Sequence, residues 1–310
     1  MTTPTRRSLL TALLLSPALI QARAPQNLPL AWAALERRSG GRLGACLLDT
    51  GSGLSWSHRG AERFGMCSTF KLPLAGAVLH AIDQGRLAPD ARLPLREAER
   101  VPHMPTTEPL MARGWATPLD LAQGAQVSSD NLAANVLLRA LGGPEGFTQW
   151  LRDQGDATTR VDRYEPEMNR LLPGDERDTS SPEAFAATVA RLCTGTLLHA
   201  DSRARLLAWM EATRTGGRRL RAGLPKAWRA GDKTGTGFHE TQPDRINDTA
   251  IFWPPARGSK RASTLAPKPT PWVLSCFYEG PAKSTDWVRP QDEAVLAAVA
   301  RLAAAWATAA

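Results

Sequence analysis

The 310-residue chain has four cysteines and no Cys-x-x-Cys pair, which excludes zinc-ribbon and thioredoxin-like chemistry. Its five histidines, His58, His80, His103, His199 and His239, are scattered, with no His-x-His or His-Glu-x-x-His spacing. A metallo-hydrolase centre is therefore not expected, and no metal or other cofactor is implied. Beyond residue 24 no apolar run is long enough to span a bilayer. A basic stripe interleaved with aromatics is also missing, which speaks against nucleic-acid binding. There is no internal repeat. Hydrophobic residues make up 43% and charged residues 22%, the balance of an ordinary globular protein, and the length suggests roughly two domains or lobes with ample core.

The net charge is +8, and Arg6, Arg7 and Arg23 supply three of it within residues 1–24, which carry no acid. Thr5-Arg6-Arg7-Ser8-Leu9-Leu10 has a twin-arginine pattern. A short apolar run to Ile20 and the small-residue site Ala22-Arg23-Ala24 follow. Residues 1–24 thus read as a cleavable export signal, and the mature chain is expected to be a periplasmic monomer with no membrane attachment. Further basic residues, Arg257, Lys260, Arg261 and Lys268, sit in a Pro-rich stretch over 254–272 that reads as an exposed extension.

Period and punctuation give the organisation. Gly44–Asp49 and Leu54–His58 read as strands around a Thr-Gly-Ser-Gly turn. Apolar residues at Phe70, Leu74, Ala77, Val78 and Ala81 predict a helix from Ser68 to Gly85. Further helices are expected around Leu119–Gln126, Leu132–Leu141, Glu145–Gln154, Ser181–Thr194 and Asp201–Thr213, with an irregular segment over 156–180. Strands are expected at Ala227–Thr234, Asp248–Trp253 and Trp272–Tyr278, and the Ala-rich end, Asp292–Ala307, as an amphipathic surface helix. The fold class is α+β: an antiparallel sheet flanked by helices, built from both chain ends, with an inserted all-α lobe. Residues 25–62 and 214–310 form the α/β lobe, and 63–213, including the loop 160–180, the all-α lobe.

Four polar motifs interrupt this pattern. Ser68-Thr69-Phe70-Lys71 puts a lysine one helical turn from a serine at a helix amino terminus, where free N–H groups favour negative charge. A lysine so placed can hold or take the serine proton. Ser129-Asp130-Asn131 lies between apolar helices, Glu165 and Asn169 can hold a water in the irregular segment, and Lys233-Thr234-Gly235 ends a strand where it could seat a carboxylate. Taken singly these are a helix cap, a turn, an acidic loop and a strand end. In one order and each in its context, they are not.

The conjunction resembles the class A serine β-lactamases, within the β-lactamase/transpeptidase superfamily. The resemblance runs from about residue 28 to the carboxy terminus. It extends to Leu48-Asp49-Thr50-Gly51-Ser52-Gly53, Pro173-Gly174-Asp175 and Gly231–Gly237. It implies a β-lactam substrate, a fold of the β-lactamase type, Ser68 as nucleophile, Lys71 as its partner and Ser129 as proton relay to the leaving nitrogen. Asn131 would bind the substrate's acylamino side chain. Lys233, Thr234, Gly235 and Thr236 would bind the ring carboxylate, and Glu165 and Asn169 the hydrolytic water. Whether Lys71 or Glu165 deprotonates Ser68 stays open. Arg163 and Asp178 match a pair that ties the loop base. Arg219 matches a carboxylate-binding arginine found in one branch, with Arg218 and Arg221 as rivals. His103 is either a ring at the cleft mouth or an ordinary loop histidine. The alternatives, a penicillin-binding D-Ala-D-Ala peptidase or a β-lactam sensor, acylate without turnover and would lack the Glu165–Asn169 pair.

Cys67 precedes the nucleophile, as in several carbapenem-hydrolysing relatives. Gly237 stands where their bridging cysteine would be, so Cys67 is expected unpaired. Cys46 and Cys276 lie in strand-like runs that could bring them together. Otherwise all four thiols are free and buried.

Overall fold

The computed structural model describes residues 25–239, 241–255, 270–283 and 287–309. The expected leader, residues 1–24, and most of the 254–272 stretch lie outside them. Helix α1 (Leu28–Ser39) opens the fold, where the sequence reading began on a strand. Its signals are local. Asn27 caps it by accepting from Leu30 N, Gly40 ends it at φ 73°, and Leu28, Trp32 and Leu35 form one buried face. Strands β1 (Arg42–Asp49) and β2 (Ser55–His58) follow. The helical part comprises α2 (Lys71–Asp83), α3 (Pro118–Val127), α4 (Asn131–Ala140), α5 (Gly143–Asp153), α6 (Pro182–Thr194) and α7 (Ala200–Glu211). A short α8 (Leu220–Gly223) leads to β3 (Ala230–Gly237), β4 (Arg245–Phe252), β5 (Trp272–Glu279) and α9 (Pro290–Ala309).

The five strands form one antiparallel sheet in the order β2-β1-β5-β4-β3, so strands from the two chain ends meet at the β1–β5 pair. Alternation along each strand serves two cores. Leu43, Ala45, Leu47, Leu274, Cys276 and Tyr278 face α1 and α9. Cys46, Ile251, Val273 and Phe277 face α6 and the helical core. Helix α2 is buried on every side, which fits its nearly uninterrupted apolar sequence.

Three expectations are corrected, and the open question of a Cys46–Cys276 bridge is answered. The carboxy-terminal helix is not a surface element: Leu296, Val299, Ala300 and Ala303 are buried against the sheet, and Arg301 marks its wet side. Strand β3 begins at Ala230 and runs through Gly237, because all eight residues pair with β4, so Lys233 to Gly235 lie within a strand. Ser68 precedes the helix proper, in a 3-10 turn over Cys67–Phe70. Cys46 and Cys276 sit on neighbouring strands but on opposite faces of the sheet, since Cys46 is level with Ser275, so no bridge forms. All four thiols are free and buried, and burial pushes those of Cys46, Cys67 and Cys193 up to about 12. Among the described residues no helix is long and apolar enough to cross a membrane.

Candidate active site

The Ser68 turn is wedged between α2 and β3. A Cβ on Gly235 would lie 2.6 Å from the Met66 carbonyl oxygen, so only glycine lets the strand pass this close. Cys67 takes φ 47° to present Ser68, and Ser129, His103 and Asp178 also take positive φ around the cleft and its loop. Such strain persists where packing over-determines it.

Ser68 Oγ accepts from Lys71 Nζ at 2.9 Å and donates to Glu165 Oε1 at 3.3 Å. Lys71 Nζ also reaches the Ser129 carbonyl at 2.9 Å, Asn131 Oδ1, and Glu165 Oε1 at 3.1 Å. Both Lys71 and Glu165 are buried. Burial holds the Lys71 pKa below the usual lysine value, and Glu165 opposes that shift. A hydroxyl bracketed by an amine and a carboxylate can pass its proton to that pair.

The facing wall comes from β3 and the start of α4. Lys233 Nζ donates to Ser129 Oγ at 3.1 Å and to the Thr234 carbonyl at 2.8 Å. Its pKa falls to about 7, through burial first and then the Lys71 ammonium. Asp130, between the two motif residues, caps α4 and gathers Thr106 N, Thr107 N and the Thr107 hydroxyl on its buried carboxylate. Arg219 is buried and separates cleanly from its rivals. It donates to Thr236 Oγ1 at 2.7 Å and to the Gly235 and Asn247 carbonyls at 2.9 Å, and meets Glu293 at 3.3 Å. Arg221 instead pairs with Asp232, and Arg218 is exposed.

The irregular segment supplies the carboxylate. Asn169 Nδ2 donates to Glu165 Oε2 at 2.6 Å. Asn135 clamps the Glu165 backbone on both sides, donating to its carbonyl at 2.9 Å and accepting from its N–H at 2.8 Å. At the base, Arg163 Nε donates to Asp178 Oδ2 at 2.6 Å, while Asp178 Oδ1 accepts from the backbone of Asp162 and Arg163.

These groups converge on a cleft of about 370 Å³ lined by Ser68, Ser129, Asn131, Glu165, Asn169, Arg219, Thr234 and Thr236. Lys71 and Lys233 lie beneath its floor. His103 stands at the rim with Nε2 2.9 Å from the Ser128 carbonyl. Arg163 and Asp178 do not reach the cleft. The sequence reading missed Asn135, Thr215, Phe238 and Glu293. Phe238 is the one hydrocarbon side chain in the lining, next to Gly237, and was within reach of the motif. Asn135 and Glu293 lie on helices with no local signal. A Cβ on Gly237 would sit 2.7 Å from Cys67 Sγ, so Cys67 has no bridging partner there.

A serine, a lysine and a carboxylate within contact on an α+β fold of this topology define a serine acyl-transfer hydrolase. The model of the β-lactamase enzyme family matches residues 31–307. β-Lactamase L2 of Stenotrophomonas maltophilia is 42% identical over 272 residues, 88% of this chain and 83% of that protein. The carbapenem-hydrolysing β-lactamase KPC of Klebsiella oxytoca is 40% identical, over 88% and 86%. Among solved structures, the class A β-lactamase of the last common ancestor of Gram-negative bacteria superposes with a TM-score of 0.78 at 46% identity, covering 89% of this chain and 97% of that one. A β-lactamase from Xanthomonas campestris gives 0.76 at 41%, over 89% and 97%. The chain belongs to the β-lactamase enzyme family, in class A, and is a β-lactam hydrolase of the kind that confers antibiotic resistance.

Proposed function

We propose that Ser68 carries the reaction through an acyl-enzyme on penicillins and cephalosporins. The Ser68 oxygen attacks the β-lactam carbonyl carbon and its proton passes to the Lys71–Glu165 pair. Developing charge on the carbonyl oxygen is stabilised by the backbone N–H groups of Ser68 and Thr236. As the C–N bond breaks, Ser129 gives its proton to the ring nitrogen and is replenished through Lys71. Lys233, Thr234, Thr236 and Arg219 hold the ring carboxylate, with the Gly235 backbone keeping that strand against the serine. Asn131 accepts the acylamino group, and the His103 ring packs on it at the rim. A water between Glu165 and Asn169 then attacks the ester carbon. Its proton goes to Glu165, the bond to Ser68 breaks, and Ser68 regains a proton as the ring-opened acid leaves.

The observation that carries this reading is the Ser68 hydroxyl bridging Lys71 and Glu165 while Asn169 fixes the other carboxylate oxygen. A trapped penicillin-binding protein has no use for that second pair. The twin-arginine pattern and small-residue site of residues 1–24 support export to the periplasm.

The test is benzylpenicillin hydrolysis by the mature protein, with intact mass taken during the reaction. Turnover of many equivalents is expected. Glu165→Ala is expected to accumulate an adduct on Ser68. One equivalent consumed by the wild type, followed by a stable adduct, would make it a penicillin-binding or sensing protein instead.

A further inference from the structure

Arg245 opens β4, level with Gly237 on one side and Glu279 on the other. It is only 6% exposed, yet it forms no ion pair among the described residues. Its two terminal nitrogens are turned to the loop: Nη2 donates to the Leu171 carbonyl at 3.1 Å and Nη1 to that of Asn169 at 3.4 Å. The stem is packed tightly. A Cβ on Gly65 would lie 3.1 Å from Arg245 Cδ and 3.2 Å from Leu171 Cδ1, so glycine at 65 is what leaves room for both.

Around this contact the loop stands off the sheet. A cavity of about 560 Å³ separates residues 171–176 from the strand ends, with Arg42, Arg63 and Gln242 on its walls. Among the described residues, no other sheet residue donates a hydrogen bond to the segment 165–172. Asn169 is the residue whose side chain holds Glu165 Oε2. Charge-assisted bonds from a buried guanidinium orient strongly, because leaving those donors unmet is costly.

We infer that Arg245 is a positioning residue for hydrolysis of the acyl-enzyme: it braces the Asn169–Leu171 backbone across the cavity so that Asn169 and Glu165 hold the attacking water. This rests on the two-step reading above. Acylation does not depend on the brace, because Asn135 still clamps the Glu165 backbone and Lys71 still meets Ser68.

Two substitutions test it. Arg245→Met keeps an unbranched stem against Gly65 and removes the donors. Arg245→Lys keeps the charge and reaches one carbonyl. With benzylpenicillin, Arg245→Met should lower kcat about 10- to 100-fold, keep kcat/KM within about threefold, and build up a Ser68 adduct in intact mass. Arg245→Lys should fall between it and the wild type. Wild-type turnover without adduct in Arg245→Met overturns the inference. So does a parallel fall of kcat and kcat/KM with no adduct, which is mere loss of folded enzyme. If Arg245→Met does not fold, Arg245→Lys decides alone: an adduct supports the brace, and none overturns it. A wild type that forms no adduct and turns nothing over overturns the two-step reading itself, before any variant is compared.

Discussion

Burial and the Lys71 ammonium bring the Lys233 pKa down to about 7, some way below an exposed lysine. The charged form is the one that attracts a carboxylate. Because the folded-state pKa is lowered, that charge is present below about pH 7 and lost above it. The kcat/KM for benzylpenicillin is therefore expected to fall as pH rises through 7, by up to about tenfold per unit. In kcat the limb should move to higher pH, since a bound carboxylate favours the ammonium. Lys233→Arg, which stays charged, should abolish the limb, and a pH–rate profile of both proteins checks this. At this scale the sequence was informative wherever a group sits in a motif: Ser68, Lys71, Ser129, Glu165 and Lys233, which the fold brings into contact, were all legible. Asn135, Arg245 and Glu293 were not, because each acts by reaching a group distant in the chain, and a lone Asn, Arg or Glu carries no local sign of its partner.

In the proposed mechanism, the element that governs the second half-reaction is the 160–180 loop. Burial pushes the Asp178 pKa above the ordinary carboxylate value even with Arg163 beside it. Arg163→Ala would leave that carboxylate with backbone donors alone. Arg163 is partly exposed, so the expected loss is about 2–4 kcal/mol at pH 7, toward the lower end of what breaking a buried pair costs. The loss should shrink as pH falls toward 5, because the variant's more basic carboxyl takes up a proton and no longer needs the cation. Urea unfolding of both proteins at the two pH values measures it. The same variant should accumulate acyl-enzyme, since the loop base sets the approach of Glu165. The sequence located this loop by its lack of period. What ties it to α4 and to the sheet came only from contacts across the fold.

At the scale of the whole molecule, α1 and α9 close one face of the sheet. Trp32 is fully buried at their contact, and its Nε1 donates to the Val299 carbonyl at 3.3 Å. Trp32→Ala is expected to cost about 3–5 kcal/mol in unfolding free energy. Its kcat on benzylpenicillin at 25 °C should be unchanged, because the cleft lies elsewhere in the fold. Paired denaturation and kinetic assays separate the two effects. The strand pattern foretold a sheet made from both chain ends, but it missed α1 and misplaced α9 on the surface. An alanine-rich helix looks weakly apolar residue by residue, and only close packing against a sheet turns small side chains into a core.

By itself the sequence picked out the polar side chains that the fold gathers at the cleft, because motifs of this kind sit at short, local spacings that survive any reading. It also determined most elements, because period and caps are local properties. Only the tertiary structure decided which face of the sheet each cysteine takes and which of three neighbouring arginines lies in the cleft. It alone decided how Asn135 and Arg245 hold the loop over the serine. Those outcomes depend on strand register and on residues far apart in the chain brought within hydrogen-bond distance, which no local pattern encodes.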